Sequence, residues 1–398
     1  MGQVKSTNLL RLLTALAAGF LMISCSSKMQ LRLTQLDTPE HHTFAGVVLL
    51  NQEKFADAGR EFELALRLDP HNAKAHAGVG LVKAYHGDFT GGFDAIKQAR
   101  KYAQNNEEKI LALVGNIRVN NLSHATCLRI GTECTSNDPW FKSSKEAFDQ
   151  AVLIDPKAAS AHYFMGETYL TVLEIELAGR TFNRILDLNG DYVTEAAGRW
   201  KLAQKIQRAM PETLTGKKMA LMERITRADM ALLLMEEIKI DALYALRTPR
   251  TFPPPLKDLE KARTIAARPA TAADIDHHPR KTDIEGILRI GMRGLDLYPD
   301  GTFRPDDPLD RASYAMIIED ILIKVSGDQS LTTRFIGSSS PFVDLQADLP
   351  YYNAVMVATS RGIMEATDLA SGRFAPLSPV TGVDALFVIR KIRDELRY

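Results

Sequence analysis

The stretch Phe62-Glu63-Leu64-Ala65-Leu66-Arg67-Leu68-Asp69-Pro70, followed by Ala75-His76 and Gly80, returns 86 residues later. Phe62 falls on Phe148, Ala65 on Ala151, Asp69-Pro70 on Asp155-Pro156, Ala75-His76 on Ala161-His162 and Gly80 on Gly166. A shift of 34 residues also matches, placing Gly46 on Gly80, Phe55 on Phe89 and Ala65 on Ala99. Gly166, Tyr169, Ala178 and Phe182 keep the spacing in the last unit. Apolar and small residues recur here at helical spacing, and Asp-Pro closes the second helix at 69–70 and 155–156, because proline cannot continue one. Small residues let two antiparallel helices approach closely. About four helical pairs fit residues 39–190, the third interrupted by an insertion near 119–139, and 192–209 reads as a capping helix.

A 34-residue helical-hairpin period of this kind resembles the tetratricopeptide repeat (TPR). The resemblance implies a solenoid whose concave face takes a protein or peptide partner, with a plain spacer as the alternative. His76, His162 and Tyr85 either line that face or pack within it.

After Pro211 a different repeat begins. Ile225-Thr226-Arg227-Ala228-Asp229, Leu309-Asp310-Arg311-Ala312-Ser313 and Val380-Thr381-Gly382-Val383-Asp384 each run into an apolar helix. Gly301-Thr302-Phe303-Arg304-Pro305 and Gly372-Arg373-Phe374-Ala375-Pro376 precede the second and third starts at equal distance, and Asp274 and Asp344 occupy matching places upstream. The layout resembles the S-layer homology (SLH) domain, of which three copies build one wall-binding unit. The copies fall at about 217–240, 272–325 and 340–396, with a Pro-rich insertion at about 241–271. The expected fold class is therefore mainly α: a TPR-like helical-hairpin solenoid over 39–209, then an SLH-like three-repeat helical unit over 210–398.

Thr226 with Asp229, Thr381 with Asp384, and Asp310 alone suit helix capping. Capping does not explain Arg227 and Arg311, since a cation in the first turn opposes the helix dipole. Their planar fork suits carboxylates and phosphates. The SLH resemblance implies polymer recognition at this arginine position. The expected polymer-binding set is Thr226, Arg227, Asp310, Arg311 and Thr381, with packing as the alternative role; the third copy has Gly382 in the arginine's place.

At the other end, Lys5 and Arg11 precede an apolar run from Leu12 to Ile23, then Ser24-Cys25-Ser26. A positive start, a short apolar core and a small residue describe an export signal, too short to span a bilayer as a mature helix. The end of the run resembles a lipoprotein signal, with Met22 where Leu is usual. That resemblance implies cleavage after residue 24, lipid on Cys25 and a tether over 25–38; Ser26 resembles the outer-membrane sorting pattern. The remaining cysteines, Cys127 and Cys134, form an even pair in an exported chain, which favours a disulfide.

The chain has 398 residues, 45% hydrophobic and 25% charged, with formal net charge +0. Without residues 1–24, which carry two cations and no acid, the charge is about −2. Nucleic-acid binding needs a concentrated basic surface, which this composition does not give. No phosphate-binding loop, His-Glu-x-x-His or Gly-x-Ser-x-Gly occurs, so no enzyme activity, cofactor or metal is expected. Asp296, Asp300, Gly301 and Asp307 fit part of a calcium-loop template, but Tyr298 stands where an oxygen donor belongs. The expectation is a non-enzymatic envelope lipoprotein, on the periplasmic side of an outer membrane. It would tether the membrane to peptidoglycan or a wall-linked (secondary cell-wall) polymer and recruit a protein through its repeats. The alternative is an assembly or export accessory in which the repeats do the essential work.

Overall fold

The computed structural model describes residues 37–247, 271–368 and 370–396. Cys25 with its signal segment, and most of the Pro-rich insertion, lie outside the described residues. The fold is mainly α. Four helical hairpins come first: α1 (Pro39–Asn51) with α2 (Phe55–Leu68), α3 (Ala73–Tyr85) with α4 (Phe89–Tyr102), α5 (Asn106–Ser123) with α6 (Pro139–Ile154), and α7 (Ala159–Thr171) with α8 (Ile175–Leu188). The closing helix is α9 (Val193–Ala209). Helix α5 runs unbroken to Ser123, so the extra segment begins after it rather than at 119.

One contact sets the stacking. Phe62 of α2 is fully buried, and a Cβ on Gly46 of α1 would come within 2.6 Å of its ring. Gly78 of α3 presses on the same ring from the next hairpin. Ile96 of α4 fills the same place between Gly80 of α3 and Gly115 of α5, and Phe182 of α8 packs on Gly166 of α7. In three of the four hairpins a large residue on the second helix thus seats against glycine on the first. The Asp-Pro turns are equally regular. Asp69 and Asp155 accept from the backbone N–H groups of His71 and Lys157, at 3.0 and 2.9 Å. His76 and His162 donate to the carbonyls of Pro70 and Pro156 at 2.9 and 3.2 Å. These histidines hold turns together, and burial lowers the pKa of His162. Tyr85 stacks on Phe55 with ring centroids 4.2 Å apart.

The second half contains α10 (Leu214–Met219), α11 (Arg227–Leu233), α12 (Ile240–Arg247), α13 (Lys281–Ile290), α14 (Arg311–Ser326), α15 (Tyr352–Ser360) and α16 (Gly382–Leu396). Its centre is a ring of three backbone hydrogen bonds. The N–H of Leu309 donates to Ile225 O (2.9 Å), that of Val380 to Leu309 O (2.9 Å), and that of Ile225 to Val380 O (3.0 Å). The three residues are buried and stand just before the three helix starts. Each repeat therefore satisfies its central backbone groups only through the other two.

The two halves share a core. Ile206 and Ala209 of α9 lie in the hydrophobic cluster of the second half, against α16. The segment 124–138 adds a second contact. Cys127 and Cys134 are bonded there, with Cα atoms 5.6 Å apart. The loop they close turns Arg129 O and Thr132 Oγ1 toward Lys218 Nζ of α10, at 2.8 and 3.1 Å, and the carbonyl of Thr132 also accepts. Lys218 is buried, which lowers its pKa. The capping helix is thus a joint between the halves.

Two glycines separate packing from propensity. Gly166→Ala should destabilise the protein by about 1–3 kcal/mol, because its Cβ would overlap Phe182. Gly198→Ala, in α9 with no atom within 4 Å of its Cβ, should stabilise by about 0.5–1 kcal/mol through helix propensity alone. Thermal unfolding of the two variants checks both signs.

Candidate functional site at the repeat junctions

The ring brings the start of each helix against the loop of the next repeat. At the first junction, the N–H groups of Arg227 and Ala228 donate to Asp307 O and Pro305 O, both at 3.0 Å. At the second, those of Arg311 and Ala312 donate to Ser378 O and Pro376 O, at 3.0 and 2.8 Å. At the third, Gly382 N–H donates to Met222 O at 2.9 Å. The loops of the first two junctions are each held from behind by a carboxylate. Asp274 accepts from the N–H groups of Phe303 and Arg304 at 2.8 and 2.7 Å. Asp344 accepts from those of Phe374 and Ala375 at 2.9 and 2.8 Å. Burial works to raise the pKa of Asp344, but these N–H groups outweigh it and hold the carboxyl below its usual range.

The polar residues at the helix starts cap. Thr226 and Asp229 form a full capping box, and Asp229 also pairs with Arg280. Asp310 accepts from Ser313 N at 2.6 Å. Thr381 Oγ1 accepts from Asp384 N at 3.2 Å and donates to its carboxylate at 2.6 Å.

The arginines answer their unfavourable place at a helix start with backbone oxygen. Arg227 donates from Nε to Phe303 O (2.8 Å), from Nη1 to Gly294 O (3.2 Å) and from Nη2 to Asp296 O (2.7 Å). Its guanidinium lies over the rings of Phe303 and Tyr298, and the residue is 5% exposed. Burial lowers its pKa. Arg311 repeats the pattern in part: Nε donates to Phe374 O (2.9 Å), Nη2 to Glu365 O (2.5 Å), and the guanidinium lies over Phe374. Among the described residues no aromatic ring plays the part of Tyr298, and a cleft of about 280 Å³ opens beside Arg311. Lys205, Glu365, Thr367, Asp384 and Lys391 help to line it. Lys391 reaches Gly362 O at 2.6 Å and Glu365 at 2.8 Å. At the third junction Gly382 stands in the arginine's place, where a Cβ would fall on the carbonyl of Met219.

The structure therefore separates residues that look alike in sequence. Thr226, Asp310 and Thr381 terminate helices, Arg227 fills its junction, and Arg311 borders an open groove. Lys205 and Lys391 were invisible to motif reasoning, since neither belongs to the repeat signature. The partial calcium template is a turn in which Asp300 accepts from Thr302 N–H (3.0 Å) and pairs with Arg304 (2.9 Å). Among the described residues no cluster of metal-ligating side chains occurs, and no helix is long and apolar enough to cross a membrane.

A family model of the S-layer homology domain matches residues 296–315, which span the loop, the ring residue Leu309 and the start of α14. No curated protein matches the chain. The matched segment gives the chain an association with the cell envelope or surface.

Removing the buried arginine should be severe. Arg227→Ala should cost roughly 3 kcal/mol or more, because each orphaned buried carbonyl costs about 1–3 kcal/mol. Arg227→Lys should recover little, since an ammonium cannot match the fork. Arg311→Ala, which strands fewer acceptors, should cost less. Denaturant unfolding of the three variants orders them.

Proposed function

We propose that the protein is a non-enzymatic envelope lipoprotein that holds a wall polymer in the groove beside Arg311 and a membrane through lipid on Cys25. The observation that carries this reading is the contrast between the junctions. The same arginine fork is sealed under Tyr298 at the first junction and borders, at the second, an open cleft lined by Lys205, Lys391, Glu365 and Asp384. SLH domains bind peptidoglycan or secondary cell-wall polymers, and the matched segment runs into Arg311. An anionic glycan suits a groove in which Arg311 and Lys391 meet, because charge-assisted hydrogen bonds are stronger than neutral ones. On this reading binding concentrates at one junction, and Thr226, Arg227, Asp310 and Thr381 support the fold.

The hairpin stack is the surface we assign to a protein partner. It bears exposed apolar residues on α1, where Phe44 is 69% exposed. Separating the halves by deletion must leave α9 with the second half, because Ile206 and Ala209 belong to that core.

Sedimentation with purified sacculi tests the groove. Lys391→Glu keeps the buried core intact and should reduce binding at least tenfold, the equivalent of about 1.4 kcal/mol. Arg311→Ala should reduce it as much, with circular dichroism as the folding control. Retention equal to the unaltered protein in both variants overturns the reading. Separately, Cys25→Ala should release the protein from the membrane fraction; unchanged fractionation removes the lipid anchor from the proposal.

A further inference from the structure

The groove beside Arg311 is built by more than the repeats. Lys205 belongs to α9, the last helix of the hairpin stack, yet it lines this cleft. Its position is fixed from both sides. One residue on, Ile206 is buried in the core of the second half, and α9 packs along α16. Arg393 of α16 pairs with Glu212 just beyond α9 and donates to the buried Glu237 at 2.6 Å. The Lys218 contacts with the disulfide loop hold the same joint. Lys205 therefore enters the groove from a rigid neighbour.

Its present partner is Asp384. This carboxylate also bonds Thr381 and acts on Arg311 across the cleft. The two side chains are 36% and 40% exposed. An ion pair this exposed contributes little stability, so it is easily exchanged. The capping bonds between Thr381 and Asp384 do not need the lysine. Packing thus leaves the ammonium with no structural duty that matches its fixed placement.

We infer that Lys205 is a ligand-binding residue of the groove, exchanging Asp384 for a carboxylate or phosphate of the bound glycan, so that the hairpin stack supplies part of the wall-binding site. The inference rests on the groove proposed above. It adds a coupling: polymer bound between Lys205 and Arg311 bridges the two halves and ties the stack to the repeat unit.

The two members of the pair give a test with different expected outcomes. Full-length protein in detergent is sedimented with sacculi, before and after hydrofluoric acid treatment. That treatment cleaves phosphodiester-linked polymers and spares peptidoglycan, so it tells a polymer phosphate from a peptidoglycan carboxylate. On the material that retains the unaltered protein, Lys205→Ala should weaken binding about five- to tenfold. Lys205→Arg should restore most of it. Asp384→Asn, which leaves Lys205 and Arg311 without their competing carboxylate, should bind equally or several-fold more tightly. Equal weakening by Lys205→Ala and Asp384→Asn makes the pair structural and overturns the inference. Unchanged binding by Lys205→Ala, with loss in Lys391→Glu, also overturns it and leaves the groove standing. Unchanged binding in Lys205→Ala, Lys391→Glu and Arg311→Ala together overturns the groove itself.

Discussion

The second half of the chain closes through three backbone hydrogen bonds, from Leu309 to Ile225, from Val380 to Leu309 and from Ile225 to Val380. Buried peptide groups must be paired, because an orphaned N–H or C=O costs as much as a lost hydrogen bond. Here each pair is made between repeats, so none of the three repeats satisfies its own centre. The requirement explains why the abbreviated first copy is present at all. Ile225 must offer both its N–H and its C=O for the ring to close. It also explains why the pairing spreads outward to Pro305, Pro376 and Met222, whose carbonyls receive the first helical N–H groups that a helix cannot satisfy internally.

Threefold closure does not make the junctions equal. A guanidinium at a helix start faces the positive end of the dipole, and burial adds a desolvation cost. Arg227 answers both with three carbonyls and two aromatic rings. Arg311 has two carbonyls and one ring, and solvent has access to the remainder of the fork. At the third junction the backbone of Met219 and Ala220 stands where a Cβ would lie, and only glycine fits. The difference between the sealed and the open junction is therefore one aromatic residue, Tyr298, and the difference from the third is one backbone approach.

Much of the fold is legible from spacing. The Gly46, Gly80 and Gly166 series works because each glycine meets a large residue from its hairpin partner, and both partners lie within one 34-residue unit. The Asp-Pro turns and capping residues are legible for the same reason: their bonds span two to six positions. The site is less so. Sequence spacing finds Arg311 but cannot separate it from Arg227, because the separation depends on what residues from other repeats do above each ring. Lys205 is harder still. It enters the groove from a helix that belongs, by repeat counting, to the other half. A helix can be assigned to a solenoid by its register while its far face serves a different core, and Ile206 and Ala209 carry no mark of that in the sequence.

That shared helix changes what tethering would mean. Two binding modules on a flexible linker gain from each other through an effective concentration set by linker length. In this chain no such linker separates the hairpin stack from the repeat unit; α9 packs on α8 on one side and α16 on the other, and the disulfide loop grips Lys218 beside it. The angle between a partner on the stack and a polymer in the groove is then set by packing. On the function proposed above, a body of this kind would present its partner at a fixed height and direction above the polymer, as a scaffold requires.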